Sequence, residues 1–137
     1  MEARNILFIC KGNSGRSQMA EAFFNSLSKR GKAISAGTNP DKEIHPWTIQ
    51  LMREVGIDVT QQKPKLLTDK LIRKADKIII MDSDSLKNIP SENLSKLENW
   101  QIKKLLGEPI GRVREIRDEI KEKIEQLIKE DYSSNRF

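Results

Sequence analysis

The sequence is short of the residues that most often carry chemistry or staple a fold: 137 residues hold one cysteine, one histidine and one tyrosine. A single cysteine has no partner for an internal disulfide and cannot build a cysteine-only metal cage, so any role for Cys10 must rest on its own thiolate. Aromatic residues make up only 5%, too few to interleave with basic side chains as a base-stacking surface. Long apolar runs are missing as well. The longest, Ile6 to Cys10, falls far short of the ~20 residues of a membrane-spanning helix. The opening Met1-Glu2-Ala3-Arg4 has neither the basic region nor the apolar stretch of a secretory leader. These absences predict a soluble, cytoplasmic protein with no membrane partner.

What is present is a chain that can fold. Hydrophobic residues reach 36% and charged residues 33%, with both signs mixed and a net charge of +5, which excludes a disordered polyelectrolyte. No repeat, low-complexity tract or linker interrupts it, and the length fits one domain over residues 1–137. The positive excess is concentrated in residues 63–77, where Lys63, Lys65, Lys70, Arg73, Lys74 and Lys77 face only Asp69 and Asp76. Such a patch suits anionic partners, yet a solvated helix face is the simpler reading and nucleic acid is not an expected partner.

Hydrophobic spacing predicts strands and helices in alternation. Asn5 to Cys10 (NILFIC) and Lys77 to Met81 (KIIIM) read as strands buried on both faces. Ser17 to Arg30 carries Met19, Ala20, Phe23, Phe24 and Leu27 at helical spacing, with Gly31 as its stop. Lys32 to Ala36 reads as a second strand, followed by an Asn39-Pro40-Asp41 turn. Pro46 opens a helix to Val55 with His45 before it, and Thr68 caps another through Lys74. Ser83 to Ile89 predicts a short helix closed by Pro90, and Leu97 to Trp100 an edge strand. A last helix presents Val113, Ile116, Ile120, Ile124, Leu127 and Ile128 as one stripe. The pattern predicts an α/β fold, a parallel sheet covered by helices on both faces, whose ligands bind beyond the carboxyl ends of the strands. Cys10 stands at such an end.

The segment Cys10-Lys11-Gly12-Asn13-Ser14-Gly15-Arg16-Ser17 joins the first strand to the first helix. Gly12 and Gly15 permit positive φ, so that successive N–H groups can converge on one anion. The helix start adds its dipole and its unpaired amides, and Arg16 can close over a tetrahedral oxyanion with a forked hydrogen bond. The same field favours the thiolate of Cys10, which creates a nucleophile. Ser17 can donate to that thiolate, and Asn13 can tie the loop to a neighbouring segment. The structural alternatives are a buried small hydrophobe at 10, a turn residue at 13 and a helix cap at 17.

This loop resembles that of the low-molecular-weight protein tyrosine phosphatase family and its relatives, the thioredoxin-coupled arsenate reductases. The likeness runs through CKGNSGRSQMAEA, SAGT at 35–38, HPWTIQLMREVGI at 45–57, LTDKLIRKADKIIIMD at 67–82 and RVREIRDEI at 112–120. It implies a three-layer α/β/α domain with a four-stranded parallel sheet of the phosphotyrosine protein phosphatase I-like kind. It also implies Cys10 as the nucleophile that forms a phosphocysteine, and Arg16 as the grip on the phosphoryl group. Ser17 and Asn13 would activate the thiolate and brace the loop, while Lys11, Gly12, Asn13, Ser14 and Gly15 bind the substrate. No metal or organic cofactor is required.

The branch within the family is read from two places. The positions that hold two shuttle cysteines in arsenate reductases carry Asp82 and Ile89, and MDSDSL at 81–86 looks like the phosphatase branch. SQMAEA reads as easily like the reductase branch. Both branches place a general-acid Asp followed by Pro four residues after an aromatic; counted from Trp100, this chain has Lys104-Leu105. Protonation of a leaving group is worth about 10²- to 10⁴-fold in rate, so its loss should slow ester cleavage without removing binding. Glu108 and Asp82 are substitute acids to examine, and Lys104 can attract a dianion; Lys103 and Lys104 can equally be exposed loop lysines. Leu106 stands where the phosphatase pattern has a substrate-stacking Tyr. Trp47 is either an aromatic wall or a core residue, His45 is expected to cap its helix, and Trp100 to be structural.

Three activities follow from the sequence. The first is a phosphatase acting on phosphotyrosine or small aryl phosphomonoesters, with a phosphorylated protein or small phosphate as partner. The second is an arsenate reductase that depends on an external thiol reductant. The third is a non-catalytic module binding an oxyanion or phosphoprotein.

Overall fold

The computed structural model describes residues 4–134. At its centre lies β1 (Arg4–Cys10), and its alternating side chains divide the interior in two. Ile6, Phe8 and Cys10 join one core cluster, and Leu7 and Ile9 the other. A strand can be apolar on both faces only when both are covered, which is why β1 reads as a continuous apolar run. It pairs in parallel with β2 (Gly31–Gly37) on one side and β3 (Lys77–Ile80) on the other. β4 (Leu97–Asn99) adds to β3, also in parallel, so the four-stranded order is β2-β1-β3-β4.

The first cluster is covered by α1 (Arg16–Leu27), α2 (Pro46–Glu54) and α4 (Ile110–Ser134). Val113, Ile116, Ile120 and Ile124 of α4 are fully buried, the stripe expected from their spacing. The second cluster is covered more thinly, by Ile72 of the short α3 (Asp69–Lys74) and by Ile89 after a 3₁₀ turn at Ser83–Asn88. A second 3₁₀ turn, Ser91–Lys96, was not expected from the sequence. Trp100 is buried against Phe8 at 5.6 Å between ring centroids, a structural role as expected.

The helix starts follow local chemistry. His45 Nδ1 accepts from Trp47 N at 3.1 Å ahead of Pro46, and Thr68 Oγ1 accepts from Leu71 N at 3.2 Å. One stop differs from the sequence expectation. α1 ends at Leu27, not Arg30, because Ser28 turns extended and its Oγ accepts from the amides of Arg30 and Gly31 at 3.3 and 3.2 Å. A hydroxyl that offers the backbone a local bond competes with the next helical turn. Gly31 is therefore the first residue of β2, where a Cβ would stand 2.9 Å from the Arg4 carbonyl oxygen. Among the described residues no helix is long and apolar enough to cross a membrane.

Candidate active site

The register of the sheet builds the site. Cys10 is the last residue of β1 and lies beside Gly37, the last of β2, so the segments leaving the two strands run together. The 38–41 segment straps the 10–16 loop from outside: Thr38 N donates to Cys10 O at 3.1 Å, Asn39 N to Lys11 O at 2.9 Å and Asp41 N to Gly12 O at 2.9 Å. The remaining loop carbonyls are engaged by α1 and α2. Gln18 Nε2 donates to Asn13 O at 3.0 Å, Thr48 Oγ1 to Ser14 O at 2.8 Å, and Met19 N to Gly15 O at 2.9 Å. With every carbonyl from 10 to 15 held outward, the loop amides are free to turn inward, and Asn13 N lies 3.2 Å from Cys10 Sγ.

The curl of the loop has a different origin from the one expected. Asn13, not Gly12 or Gly15, takes the left-handed conformation, with φ of 52°. Asparagine tolerates that region when its side chain is well bonded. Here Oδ1 accepts from Lys65 N at 2.8 Å and Gln18 Nε2 at 3.0 Å, while Nδ2 donates to Ser17 Oγ at 2.8 Å. The two glycines provide room. A Cβ on Gly12 would collide with the Asp41 carboxylate, and one on Gly15 would sit 2.9 Å from Leu105 Cδ1.

Cys10 is 3% exposed, and its Sγ lies 2.8 Å from Ser17 Oγ. Ser17 is the second residue of α1 and not its cap; Gly15 holds the cap position without a side-chain bond. Arg16, the first residue of α1, is oriented by two acceptors: Nη1 donates to Ile102 O at 2.7 Å and Nη2 to Asp82 Oδ2 at 2.9 Å. A cleft of about 420 Å³ opens over the sulfur, lined by the 10–16 loop with Asn39, Asp41, His45, Lys104, Leu105 and Leu106.

The residues named from the loop, Cys10 through Ser17, thus come together, and Lys104 joins them on the cleft wall. Neither substitute acid reaches the cleft wall. Asp82 and Glu108 are absent from the cleft lining; Asp82 is paired with Arg16, and Glu108 Oε1 lies 2.6 Å from Lys103 Nζ. Lys103 is an exposed loop lysine in an ion pair, whereas Lys104 faces the cleft. Leu106 is 86% exposed at the rim. Trp47 packs half-buried against the main core, edge-on to His45, and does not line the cleft. His45 both caps α2 and borders the cleft.

Three contributors had no sequence signal strong enough to find them. Asn39-Pro40-Asp41 reads as a turn, and nothing local says that it folds onto the 10–16 loop. Gln18 reads as one polar residue on a helix, yet it is fully buried and also bonds Lys63 O at 3.1 Å. Lys65 sits in the basic stretch, but its amide braces Asn13 and its Nζ lies 3.6 Å from Glu21 Oε1.

The framework of the site is thus a cysteine at the end of a central parallel strand, a loop of outward carbonyls and an arginine on the first turn of the next helix. The chain belongs to the low molecular weight phosphotyrosine protein phosphatase family, whose pattern matches residues 5–134. It is 36% identical over 130 residues to the arsenate reductase of Staphylococcus aureus (strain Newman), covering 93% of this chain and 98% of that one. It is similar to a solved arsenate reductase in the phosphate binding state, with a TM-score of 0.83, 32% identity and coverage of 93% and 98%. It is equally similar in fold to the low molecular weight protein tyrosine phosphatase of T. tengcongensis, with a TM-score of 0.84, 25% identity and coverage of 93% and 99%.

Proposed function

We propose that the chain, acting as one domain, is a cysteine-dependent phosphatase that hydrolyses phosphotyrosine or small aryl phosphomonoesters through a phosphocysteine at Cys10. The observation that carries this reading is the placement of Sγ, 2.8 Å from Ser17 Oγ and 3.2 Å from Asn13 N, under a loop whose carbonyls are all held outward. In the first displacement the thiolate attacks phosphorus, an S–P bond forms, and the P–O bond to the leaving group breaks. In the second, water attacks phosphorus, phosphate leaves and the thiolate returns. The loop amides and the Arg16 guanidinium stabilise the charge spread over the equatorial oxygens, while Ser17 stabilises the departing thiolate. No carboxylic acid from the 101–110 segment lines the cleft, so leaving groups that depart without a proton, such as nitrophenolate, should be favoured.

A second reading is favoured by the arsenate reductases among the relatives. Cys10 displaces water from arsenate to form an S–As adduct. An external thiol then attacks Sγ, giving a mixed disulfide while two electrons reduce arsenic and arsenite departs; a second thiol restores Cys10. With one cysteine in the chain, both reducing thiols come from outside.

Turnover of p-nitrophenyl phosphate, measured beside thiol-dependent loss of arsenate, tests the two. Phosphate release that disappears in Cys10→Ser supports the phosphatase. Arsenite production without ester cleavage supports the reductase, and Arg16-dependent phosphate binding with neither turnover would leave a binding module.

A further inference from the structure

Among the described residues only one carboxylate lines the cleft, and its surroundings differ from those of the two substitute acids. Asp82 is paired with Arg16 and Glu108 with Lys103. Asp41 is the one that lines the cleft, and among the described residues it forms no ion pair; its side chain accepts a hydrogen bond from Ser14 Oγ at 2.5 Å. Placed there, a negative charge works against everything else in the site. The helix start, Lys11, Arg16 and Lys104 all favour an anion, and a carboxylate beside a bound dianion repels it.

Asp41 is also held in position. Its amide donates to Gly12 O at 2.9 Å, Asn39 next to it is tied to Lys11 O at 2.9 Å, and Pro40 between them has a fixed φ. The carboxylate rests so closely on Gly12 that a Cβ there would collide with it. A group so constrained, unneutralised by the protein and facing the ligand space, is suited to meet a charge that arrives with the ligand.

We propose that Asp41 makes this cleft selective for an oxyanion that carries a positive charge beside it: a phosphoryl compound whose substituent bears an ammonium or guanidinium group. This rests on the reading that the 10–16 loop holds the oxyanion. The anionic half sits over Cys10 while the cationic half pairs with Asp41 at the rim by Ser14. A neutral substituent of the same length leaves the repulsion from Asp41 uncompensated. Because Asp41 is exposed, the preference is modest and falls with salt.

Ethylphosphonate and 2-aminoethylphosphonate separate this effect from turnover, since neither is hydrolysed and they differ by one ammonium group. Their binding is read as protection of Cys10 from iodoacetamide, at a pH where both phosphonates are dianions. The wild-type chain should bind the amino compound about fivefold more tightly at low salt, with the preference shrinking at high salt. In Asp41→Asn, which keeps an acceptor for Ser14, the preference should vanish and ethylphosphonate binding should improve. Equal binding of the two compounds by the wild-type chain overturns the proposal, as does a preference that persists in Asp41→Asn or is indifferent to salt. The salt arm uses only wild-type protein and stands if the variant does not fold. Protection by neither phosphonate would mean that the loop holds no oxyanion, so both readings fall. Selective protection without any phosphoester turnover would retire the phosphatase reading alone.

Discussion

Asn13 and Ser17 show how much of this site rests on single side chains that never face a ligand. Asn13 is fully buried in a left-handed conformation, and its carboxamide joins Ser17 Oγ, Gln18 Nε2 and Lys65 N. Ser17 passes that bracing to the sulfur. In Ser17→Ala the bond to Sγ is lost and Asn13 Nδ2 has no partner, so two faults arise together. Hydrogen bonds to a charged group contribute about 1.5–3 kcal/mol. Turnover of an aryl phosphate should therefore fall about 10- to 100-fold, with a parallel drop in the rate of Cys10 alkylation at neutral pH. A variant that alkylates at the wild-type rate would show that Ser17 does not stabilise the thiolate. The left-handed residue was not legible beforehand: the two glycines were the obvious places for positive φ, and only the contacts around Asn13 make it the better one.

Among the elements, the clearest coupling is between α2 and α4. Glu54, the last residue of α2, accepts from Arg114 Nε and Nη2 at 3.0 and 2.8 Å and from Arg117 Nη1 at 2.7 Å. Arg117 also donates to Leu51 O at 3.0 Å, which satisfies a carbonyl near the end of α2. The Arg114 hydrogen bonds, followed by those of Arg117, lower the Glu54 carboxyl from 4.5 to about 2. A depressed folded value means that the charged form stabilises the fold above the ordinary value, and that this contribution is lost as pH falls through the window from 4.5 to about 2. Thermal unfolding followed across that window should show a shallower pH dependence in Glu54→Gln than in the wild-type chain. Identical slopes would show that other carboxylates carry the acid sensitivity. The helical stripe of α4 was plain from spacing alone, whereas this clamp joins residues some sixty positions apart and had no local trace.

For the whole molecule, the sheet separates a thick core from a thin one, and the site stands where the strands of both end. Phe8 lies in the thick core, fully buried between Phe24 at 6.5 Å and Trp100 at 5.6 Å. Phe8→Ala should cost about 3–5 kcal/mol in urea denaturation, since a ring is removed where neighbours from a helix and from the strand edge cannot both close in. Ligand binding should act on the same global equilibrium. Phosphate at about 100 times its Kd should raise stability by about 2.7 kcal/mol, and Arg16→Ala should abolish that gain while leaving the unliganded chain folded. A wild-type chain whose thermal midpoint ignores phosphate would contradict an oxyanion site in the 10–16 loop.

Spacing and composition by themselves determined the alternation of strands and helices, the two strands buried on both faces, the caps at His45 and Thr68, and the placement of Cys10 and Arg16 across a strand-to-helix turn. All of these depend on residues within a few positions of one another, where periodicity and turn chemistry act directly. Tertiary structure alone decided which residue bends the loop, which carbonyls are held outward, and which carboxylates reach the cleft. Asp82 and Glu108 looked like candidate acids along the chain, yet each is paired with a cation and neither lines the cleft, while Asp41 arrives there from what reads as an ordinary turn. The physical reason is register: pairing Cys10 with Gly37 carries the following residues of both strands to one place, and a contact made by register leaves no pattern in the chain that makes it.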